Sequence, residues 1–228
     1  MSYSVAAIVP MRHSSERVPG KNYRDFAGKP LYQRIIDTLL ACPSVTTVVI
    51  DTDSPIIMEQ VADLYPAVTV LERPAHLRDG AIPMNNVLLN TCQQVPADFY
   101  LQTHSTNPLL SARTIEAGIR QFLTHYPIYD TLFGVTRMQV RLWDGLARAI
   151  NHNPAILLRT QDLPPVFMEN SCMYLFRKET LETKHNRLGD RPFMLEIPEI
   201  EAQDIDVELN FQVAEFLFTQ LYPELVLA

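Results

Sequence analysis

Cysteine is scarce in this sequence, and the three cysteines follow neither a disulfide nor a metal pattern. Cys42, Cys92 and Cys172 are widely separated and odd in number. A disulfide framework needs an even set of cysteines in a small chain, and a structural zinc site needs closely spaced ligands. We therefore expect three free thiols, in or near the core, in a reducing cytosol.

Long hydrophobic runs are also missing. No stretch approaches the roughly 18 apolar residues that a membrane-spanning helix requires. The first ten residues, MSYSVAAIVP, lack a basic start followed by a long apolar segment, so we expect no secretory signal peptide. The sequence therefore predicts a cytoplasmic protein that does not bind membranes.

Positive charge is not in excess. The chain has 19 Lys and Arg residues against 26 Asp and Glu, a net charge of −7 at pH 7. Broad binding to nucleic acid needs an extended basic surface, so we expect no nucleic-acid partner. The basic residues are instead concentrated in one loop near the amino terminus, which suits a small anionic ligand.

What the sequence does contain is an alternation of short apolar runs with amphipathic segments, in a chain of 228 residues that fits one large domain. The apolar runs predict strands, and the segments between them predict helices, with Ser54 and Ser111 as caps. Predicted strands cover residues 4–10, 45–53, 67–74, 98–102 and 170–176, and predicted helices cover residues 30–42, 55–66, 83–95, 111–126 and 206–222. This order predicts an α/β fold with a mostly parallel sheet flanked by helices.

Residues 138–169 interrupt this alternation. They contain the only tryptophan, Trp143, and a Pro-Pro pair, and they lack a clean hydrophobic period. We interpret the segment as an inserted arm of a single domain spanning residues 1–228, suited to an oligomer contact, with Trp143 packed inside the arm.

The polar loops after the predicted strands are expected to meet. Ligands of parallel α/β sheets bind beyond the carboxyl ends of the strands. The loops at residues 11–22, 51–54 and 103–108 follow the first, second and fourth predicted strands. We expect them to share one crevice.

The first of these loops, MRHSSERVPGKN, is rich in positive charge. It contains neither of the glycine-rich nucleotide motifs G-x-x-x-x-G-K-[ST] and G-x-G-x-x-G. Arg12, Arg17 and Lys21 can nevertheless contact several phosphate oxygens, and the small residues between them leave backbone amides approachable. The residues alone leave a phosphate site and an ordinary solvated loop equally open.

Two acids near the carboxyl terminus are candidate metal ligands. The stretch AQDIDVE places Asp204 and Asp206 two residues apart. On a strand such residues share a face, so both carboxylates can approach one Mg²⁺, which prefers oxygen ligands. Alternatively, Asp206 is the N-cap of the last helix.

Five segments resemble, in family order, the acylneuraminate (sialic acid) cytidylyltransferases, which make CMP-sugars from CTP. The segments are RHSSERVPGKN with FAGKPL, VVIDTDS, ERPAHLRDGA, STNPLLSARTIEAGI and DIDVELNFQVAE. The resemblance implies a nucleotide-diphospho-sugar transferase (Rossmann-like) fold and a homodimer with a protruding dimerisation arm. It also implies transfer of CMP from CTP to an acidic, nonulosonic-acid-like sugar, with release of pyrophosphate, for surface glycan biosynthesis.

The resemblance further implies roles for individual residues. The catalytic residues are Arg12, Lys21 and Asp206. The nucleotide-binding residues are Arg12, Ser15, Arg17, Lys21, Asn22 and Arg73. The substrate-binding residues are His104, Thr106 and Asn170, and the ligands of a Mg²⁺ cofactor are Asp204 and Asp206. His104 is also a candidate general base, but the family usually has glutamine there, so a binding or structural role is favoured.

The chain departs from the family where sialic acid is bound. The family stretch R-P-N-G-A corresponds here to MENSC, with Met168 and Glu169 at the arginine and proline positions. Methionine cannot pair with a sugar carboxylate, which points away from ordinary sialic acid. The arm arginines that are candidates to replace the missing cation are Arg137, Arg141 and Arg159. Alternatively, they are ordinary surface arginines, solvated or ion-paired.

Two alternatives to this function remain open. The same chemistry can use another nucleotide, such as GTP, or a sugar phosphate or another small acid as acceptor. A nucleotide-binding relative without turnover is the other alternative, and the intact basic loop and both aspartates argue against it.

Overall fold

The structure is a computed structural model that describes residues 3–226. The strands are β1 (Val5–Met11), β2 (Asp25–Phe26), β3 (Lys29–Pro30), β4 (Thr47–Thr52), β5 (Val68–Glu72), β6 (Phe99–Thr103), β7 (Thr131–Met138), β8 (Val166–Phe176) and β9 (Pro192–Glu196). The helices are α1 (Leu31–Leu40), α2 (Pro55–Leu64), α3 (Met84–Gln94), α4 (Ala112–His125), α5 (Lys178–Lys184) and α6 (Glu208–Leu221).

Seven of these strands form one sheet in the order β5-β4-β1-β6-β8-β7-β9. The pairs β4–β5, β1–β4, β1–β6 and β7–β9 are parallel, and only β8 runs antiparallel to its neighbours. The predicted mostly parallel α/β sheet is therefore confirmed. Strand β8 begins at Val166, inside the segment predicted as an arm, so the irregular chain is confined to residues 139–165.

Helices cover both faces of the sheet because the side chains of the buried strands alternate. In β1, Ala7 and Val9 join a core cluster with α1, α2 and α4, whereas Ala6 and Ile8 join a second cluster with α3 and α5. A third cluster packs α6 against the β2–β3 hairpin. The carboxyl ends of β1, β4 and β6 remain free to carry loops at one edge.

The predicted serine caps are confirmed. The Ser54 hydroxyl accepts a hydrogen bond from the Ile57 N–H at 3.4 Å, and the Ser111 hydroxyl accepts one from the Thr114 N–H at 3.1 Å. The alternative interpretation of Asp206 as a cap is wrong, because α6 begins after Val207.

The predicted free thiols are also confirmed: Cys42, Cys92 and Cys172 are buried and unbridged. Burial raises the pKa of each thiol to about 12, which keeps it protonated. Among the helices formed by residues 3–226, none has the length and apolar character needed to cross a membrane.

Candidate active site

A cavity of about 560 Å³ opens at the carboxyl ends of β1 and β6. The loops at residues 11–22 and 103–108 both line it, as expected from their place after parallel strands. The predicted site residues in its lining are Arg12, Ser15, Arg17, Lys21, Asn22, Arg73, His104 and Thr106. Cationic side chains thus surround a space of the size that small-molecule sites occupy.

The third expected loop, at residues 51–54, supports the site from outside the cavity lining. Its Asp53 carboxylate accepts a hydrogen bond from the His13 N–H at 2.7 Å. The Ser54 hydroxyl lies 2.9 Å from His13 Nδ1, and the His13 ring stacks on Tyr23. These contacts fix the backbone of the basic loop directly after Arg12.

Asn22 shapes the basic loop through its own amide group. Its Nδ2 donates to the Arg12 carbonyl at 2.9 Å, and its Oδ1 accepts from the Ser105 hydroxyl at 2.8 Å. The side chain is buried. The amide of Asn22 therefore joins the two ends of the basic loop to each other and to the loop after β6. Gly20 allows the turn before Lys21 because it adopts a φ of 66°.

The basic loop and the two carboxyl-terminal acids meet beside the cavity. Arg17 Nη2 lies 2.7 Å from Asp206 Oδ1, and Lys21 Nζ donates to the Ile205 carbonyl at 2.5 Å. Burial lowers the pKa of Lys21, while Asp204 and Asp206 oppose that shift. Burial raises the pKa of Asp204, and Asp206 adds to this effect, whereas Thr106 and Lys21 oppose it.

The two aspartates lie on an irregular segment before α6, and neither a strand nor a helix includes them, so the helix predicted over residues 206–222 begins later than expected. Ile205 between them is fully buried in the cluster under α6, and its N–H donates to the Thr106 carbonyl at 2.9 Å. The buried Ile205 therefore holds both aspartates next to the loop after β6. Neither carboxylate lines the cavity, but Asp206 contacts Arg17, which does.

Arg73 reaches the cavity wall with its charge already paired. Its Nε lies 2.6 Å from Asp51 Oδ1 on β4, and Thr91 of α3 donates to the other Asp51 oxygen at 2.8 Å. Arg73 is only 2 % exposed. The residue therefore connects β4, β5 and α3 beneath the cavity.

Asn170 lies outside the cavity lining. Its Nδ2 donates to Thr136 Oγ1 at 3.1 Å, and its Oδ1 accepts from the Cys172 N–H at 3.2 Å. A Cβ at Gly134 would come within 2.6 Å of Asn170 Oδ1, so the glycine makes room for this amide. The contacts connect β7 to the irregular part of β8, where Ser171 has a φ of 57°.

Sequence reasoning missed several residues at the site. Gly80 lies against the Arg12 guanidinium, because a Cβ at position 80 would overlap Arg12 Nη1. Gln102 contacts both His104 and Arg187. The segment ERPAHLRDGA drew attention to residues 72–81, but no local pattern indicates which distant side chain its glycine meets.

The arrangement can bind a polyanion together with a cation. Three cationic side chains and the backbone amides of one loop supply donors for several phosphate oxygens. The carboxylates of Asp204 and Asp206 supply acceptors beside them. No covalent nucleophile is needed for such a site to polarise and position a phosphate chain.

Comparison with known proteins gives a consistent result. The family model described as "Cytidylyltransferase" matches residues 6–212. The chain is 28% identical over 217 residues to N-acylneuraminate cytidylyltransferase B of Danio rerio, covering 92% of this chain and 50% of the relative. It is 24% identical over 224 residues to pseudaminic acid cytidylyltransferase of Campylobacter jejuni, covering 92% and 94%. The chain thus spans about half the length of the Danio rerio relative.

The fold matches that of a solved structure, CMP:2-keto-3-deoxy-manno-octonic acid synthetase complexed with CTP. The TM-score is 0.71 at 18% identity, and the match covers 96% of this chain and 99% of that one. This likeness confirms the predicted nucleotide-diphospho-sugar transferase fold.

Proposed function

Since the chain belongs to the cytidylyltransferase family, we propose that it transfers CMP from CTP to an acidic, nonulosonic-acid-like sugar and releases pyrophosphate. The proposed role of the product is in surface glycan biosynthesis. The observation that carries this proposal is the contact of Arg17 with Asp206 beside the cavity. It brings the cationic loop and a carboxyl-terminal acid from opposite ends of the chain to one place. The names of the similar proteins, which act on N-acylneuraminate and pseudaminic acid, support the acceptor class.

The basic loop is the proposed binding site for the triphosphate. Arg12, Arg17 and Lys21 neutralise the charge of the phosphate oxygens, and the guanidinium groups bind pairs of oxygens in a planar fork. The acceptor hydroxyl oxygen attacks the α-phosphorus in line, and its proton is released to solvent. The bond from the α-phosphorus to the oxygen that bridges to the β-phosphate breaks, and pyrophosphate leaves with that oxygen. Catalysis in this scheme is positioning and electrostatic stabilisation, without a covalent enzyme intermediate.

Asp204 and Asp206 are the residues that would hold Mg²⁺. No group of three or more His, Cys, Asp or Glu residues suited to a metal occurs within residues 3–226. A pair of carboxylates suits Mg²⁺, which usually combines one or two carboxylates with substrate phosphates and water. When bound, Mg²⁺ supplies charge neutralisation on the phosphate oxygens and helps to orient them.

We also propose that the protein is a homodimer and that residues 139–165 form the contact. Leu157 in this segment is 91% exposed. The other large apolar side chains exposed there are Trp143, Leu146, Ile150, Ile156 and Leu158. An apolar surface of this kind favours association.

Pyrophosphate release tests the proposed activity. The assay offers CTP, GTP, UTP or ATP with Mg²⁺ and a panel of acidic sugars that includes N-acetylneuraminic, pseudaminic and 2-keto-3-deoxy-manno-octonic acid. We expect release with CTP and at least one acid, and we expect Asp206→Asn to lower the rate about 10²–10³-fold. Glu208→Gln, which alters an exposed acid paired with Arg24, is the control and keeps the rate. Release with another nucleotide only, or with none, contradicts the proposal.

A further inference from the structure

The acceptor side of the site lacks the cation that the family pattern provides. Met168 replaces the arginine and is half exposed. Two arm arginines are already occupied within the arm, because Arg159 pairs with Asp162 at 2.7 Å and Arg141 donates to the Leu158 carbonyl. Arg137 lines a separate cavity of about 360 Å³ together with Met168 and Glu199. An acidic acceptor needs a positive group elsewhere.

Arg187 is a guanidinium of the required kind. Its Nη1 donates to Gln102 Oε1 at 2.5 Å, and its Cζ lies 3.7 Å from the centroid of the Tyr174 ring. Within residues 3–226, no carboxylate lies at ion-pair distance from it. A guanidinium has five N–H donors, and this contact uses one. We propose that Arg187 binds the carboxylate of the acidic acceptor; this assignment rests on the proposed function.

Gln102 joins Arg187 to the cavity through His104. Because a guanidinium only donates, the Gln102 oxygen faces Arg187 and the Gln102 amide nitrogen faces His104 Nε2 at 2.9 Å. That nitrogen donates to His104 Nε2, so the ring proton lies on Nδ1. His104 lines the cavity with Lys21 and Thr106. A chain of hydrogen bonds therefore runs from His104 in the cavity lining through Gln102 to Arg187.

The charges around His104 agree with its place between Lys21 and Arg187. The pKa of His104 is lowered to about 4, chiefly by burial and then by Arg187 and Lys21. The imidazole is thus neutral near pH 7 and lies within the field of both cations. Arg187 lies outside the lining of the cavity of about 560 Å³. In the proposed arrangement, the acceptor extends past His104 and places its carboxylate against Arg187.

The segment that carries Arg187 is held in place on several sides. Asn85 at the start of α3 donates to the His185 carbonyl at 2.9 Å, and the neighbouring Met84 lines the cavity. The Tyr174 hydroxyl donates to Glu169, which fixes the ring under the guanidinium. Such support keeps the cation ready for a bidentate carboxylate contact.

Equilibrium binding of the acid separates this assignment from the activity. Calorimetry measures the Kd of two acids, 2-keto-3-deoxy-manno-octonic acid and the acid that supports most turnover. The protein is first saturated with a CTP analogue that cannot be cleaved between the α- and β-phosphates. We expect Arg187→Met to raise the Kd about 10- to 100-fold. Arg187→Lys restores part of the loss, because it keeps the charge but not the fork. The carboxamide of the same acid lacks the negative charge, so we expect it to bind weakly and with equal Kd to the wild type and to Arg187→Met.

Two further variants serve as controls. Arg191→Met removes an exposed arginine of the same segment and leaves the Kd unchanged. Arg137→Met tests the competing cation. Unchanged stabilisation by CTP in a thermal-shift measurement shows that Arg187→Met still folds and binds nucleotide.

Each result decides one proposal. Equal Kd values for the wild type and Arg187→Met, a loss on Arg137→Met instead, or no binding of any acid to the wild type overturns the role of Arg187. Pyrophosphate release that persists with any of these results leaves the proposed function standing. Arg187-dependent binding without pyrophosphate release from CTP supports the assignment and overturns the proposed function.

Discussion

At the scale of single residues, the position of Arg12 depends on a glycine far along the chain. A Cβ at Gly80 would overlap the end of the Arg12 side chain. We predict that Gly80→Ala displaces the guanidinium and lowers kcat/KM for CTP about 10-fold. Steady-state kinetics measure this effect, and urea unfolding shows little change in stability, because a flexible side chain moves rather than backbone. Gly145→Ala is the control, since its Cβ meets nothing within 4 Å. An equal kcat/KM for both variants contradicts the account.

His104 predicts a specific sensitivity to acid. Its pKa in the folded protein is about 4, below the ordinary value of 6.5. Between pH 4 and pH 6.5 the His104 side chain binds a proton in the unfolded chain but not in the folded protein. The stability that the neutral His104 contributes is therefore complete above pH 6.5 and is lost progressively toward pH 4. We predict that His104→Gln removes an acid-induced loss on the order of 2–3 kcal/mol. Urea unfolding across this pH range measures it, with the exposed His76→Gln as the control. An unchanged pH dependence in His104→Gln contradicts the burial of a neutral imidazole.

Sequence reasoning reached some of these residues and not others. The positions of Arg12, Arg17 and Lys21 follow from a strand that ends in a short basic loop. The partners of Arg73 and Arg187 do not follow, because Asp51 and Gln102 meet them only after distant strands have packed. The family resemblance suggested nucleotide contact for Arg73, and the fold pairs its charge with Asp51 at the wall of the cavity.

At the scale of elements, hydrophobic periodicity predicted β1, β4, β5 and β6 and the helices α1 to α4, where each βα unit packs on its sequence neighbour. Periodicity did not predict the β2–β3 hairpin, β7, β9 or α5. Strand β9 pairs with β7. The pairing of β7 with β8 shifts register between Phe133 and Val135 of β7. These pairings depend on long-range contacts. Asn210 also could not be foreseen as the side chain that accepts from the Asp206 and Val207 N–H groups before α6.

The buried pair between β4 and the segment after β5 predicts a large loss of stability. Arg73→Met leaves the Asp51 carboxylate without its cation in the interior, which costs about 3–5 kcal/mol. Urea denaturation measures the change. Arg120→Met removes an exposed arginine that pairs with Glu116 on α4, and its cost is no more than about 1 kcal/mol. Equal losses in the two variants contradict the structural role of the buried pair.

At the scale of the whole molecule, the arm predicts the oligomeric state. If residues 139–165 form the proposed dimer contact, Leu157→Asp places charge in an apolar interface and gives a monomer at micromolar concentration. Sedimentation velocity measures the mass. Leu64→Asp, on exposed α2, is the control and leaves the dimer intact. A wild-type monomer, or a Leu157→Asp dimer, contradicts the assignment.

The central claim is that the cationic loop and the two carboxyl-terminal acids bind one metal–nucleotide complex. Thermal unfolding with each nucleoside triphosphate, with and without Mg²⁺, tests it most directly. At a concentration about 100 times its Kd, CTP with Mg²⁺ should stabilise the wild type by about 2.7 kcal/mol, a shift in Tm of about 5–10 °C. The shift should shrink in Lys21→Met, and its Mg²⁺-dependent part should vanish in Asp204→Asn. The absence of a Tm shift with every nucleotide contradicts the account, and so does a shift in both variants equal to that of the wild type.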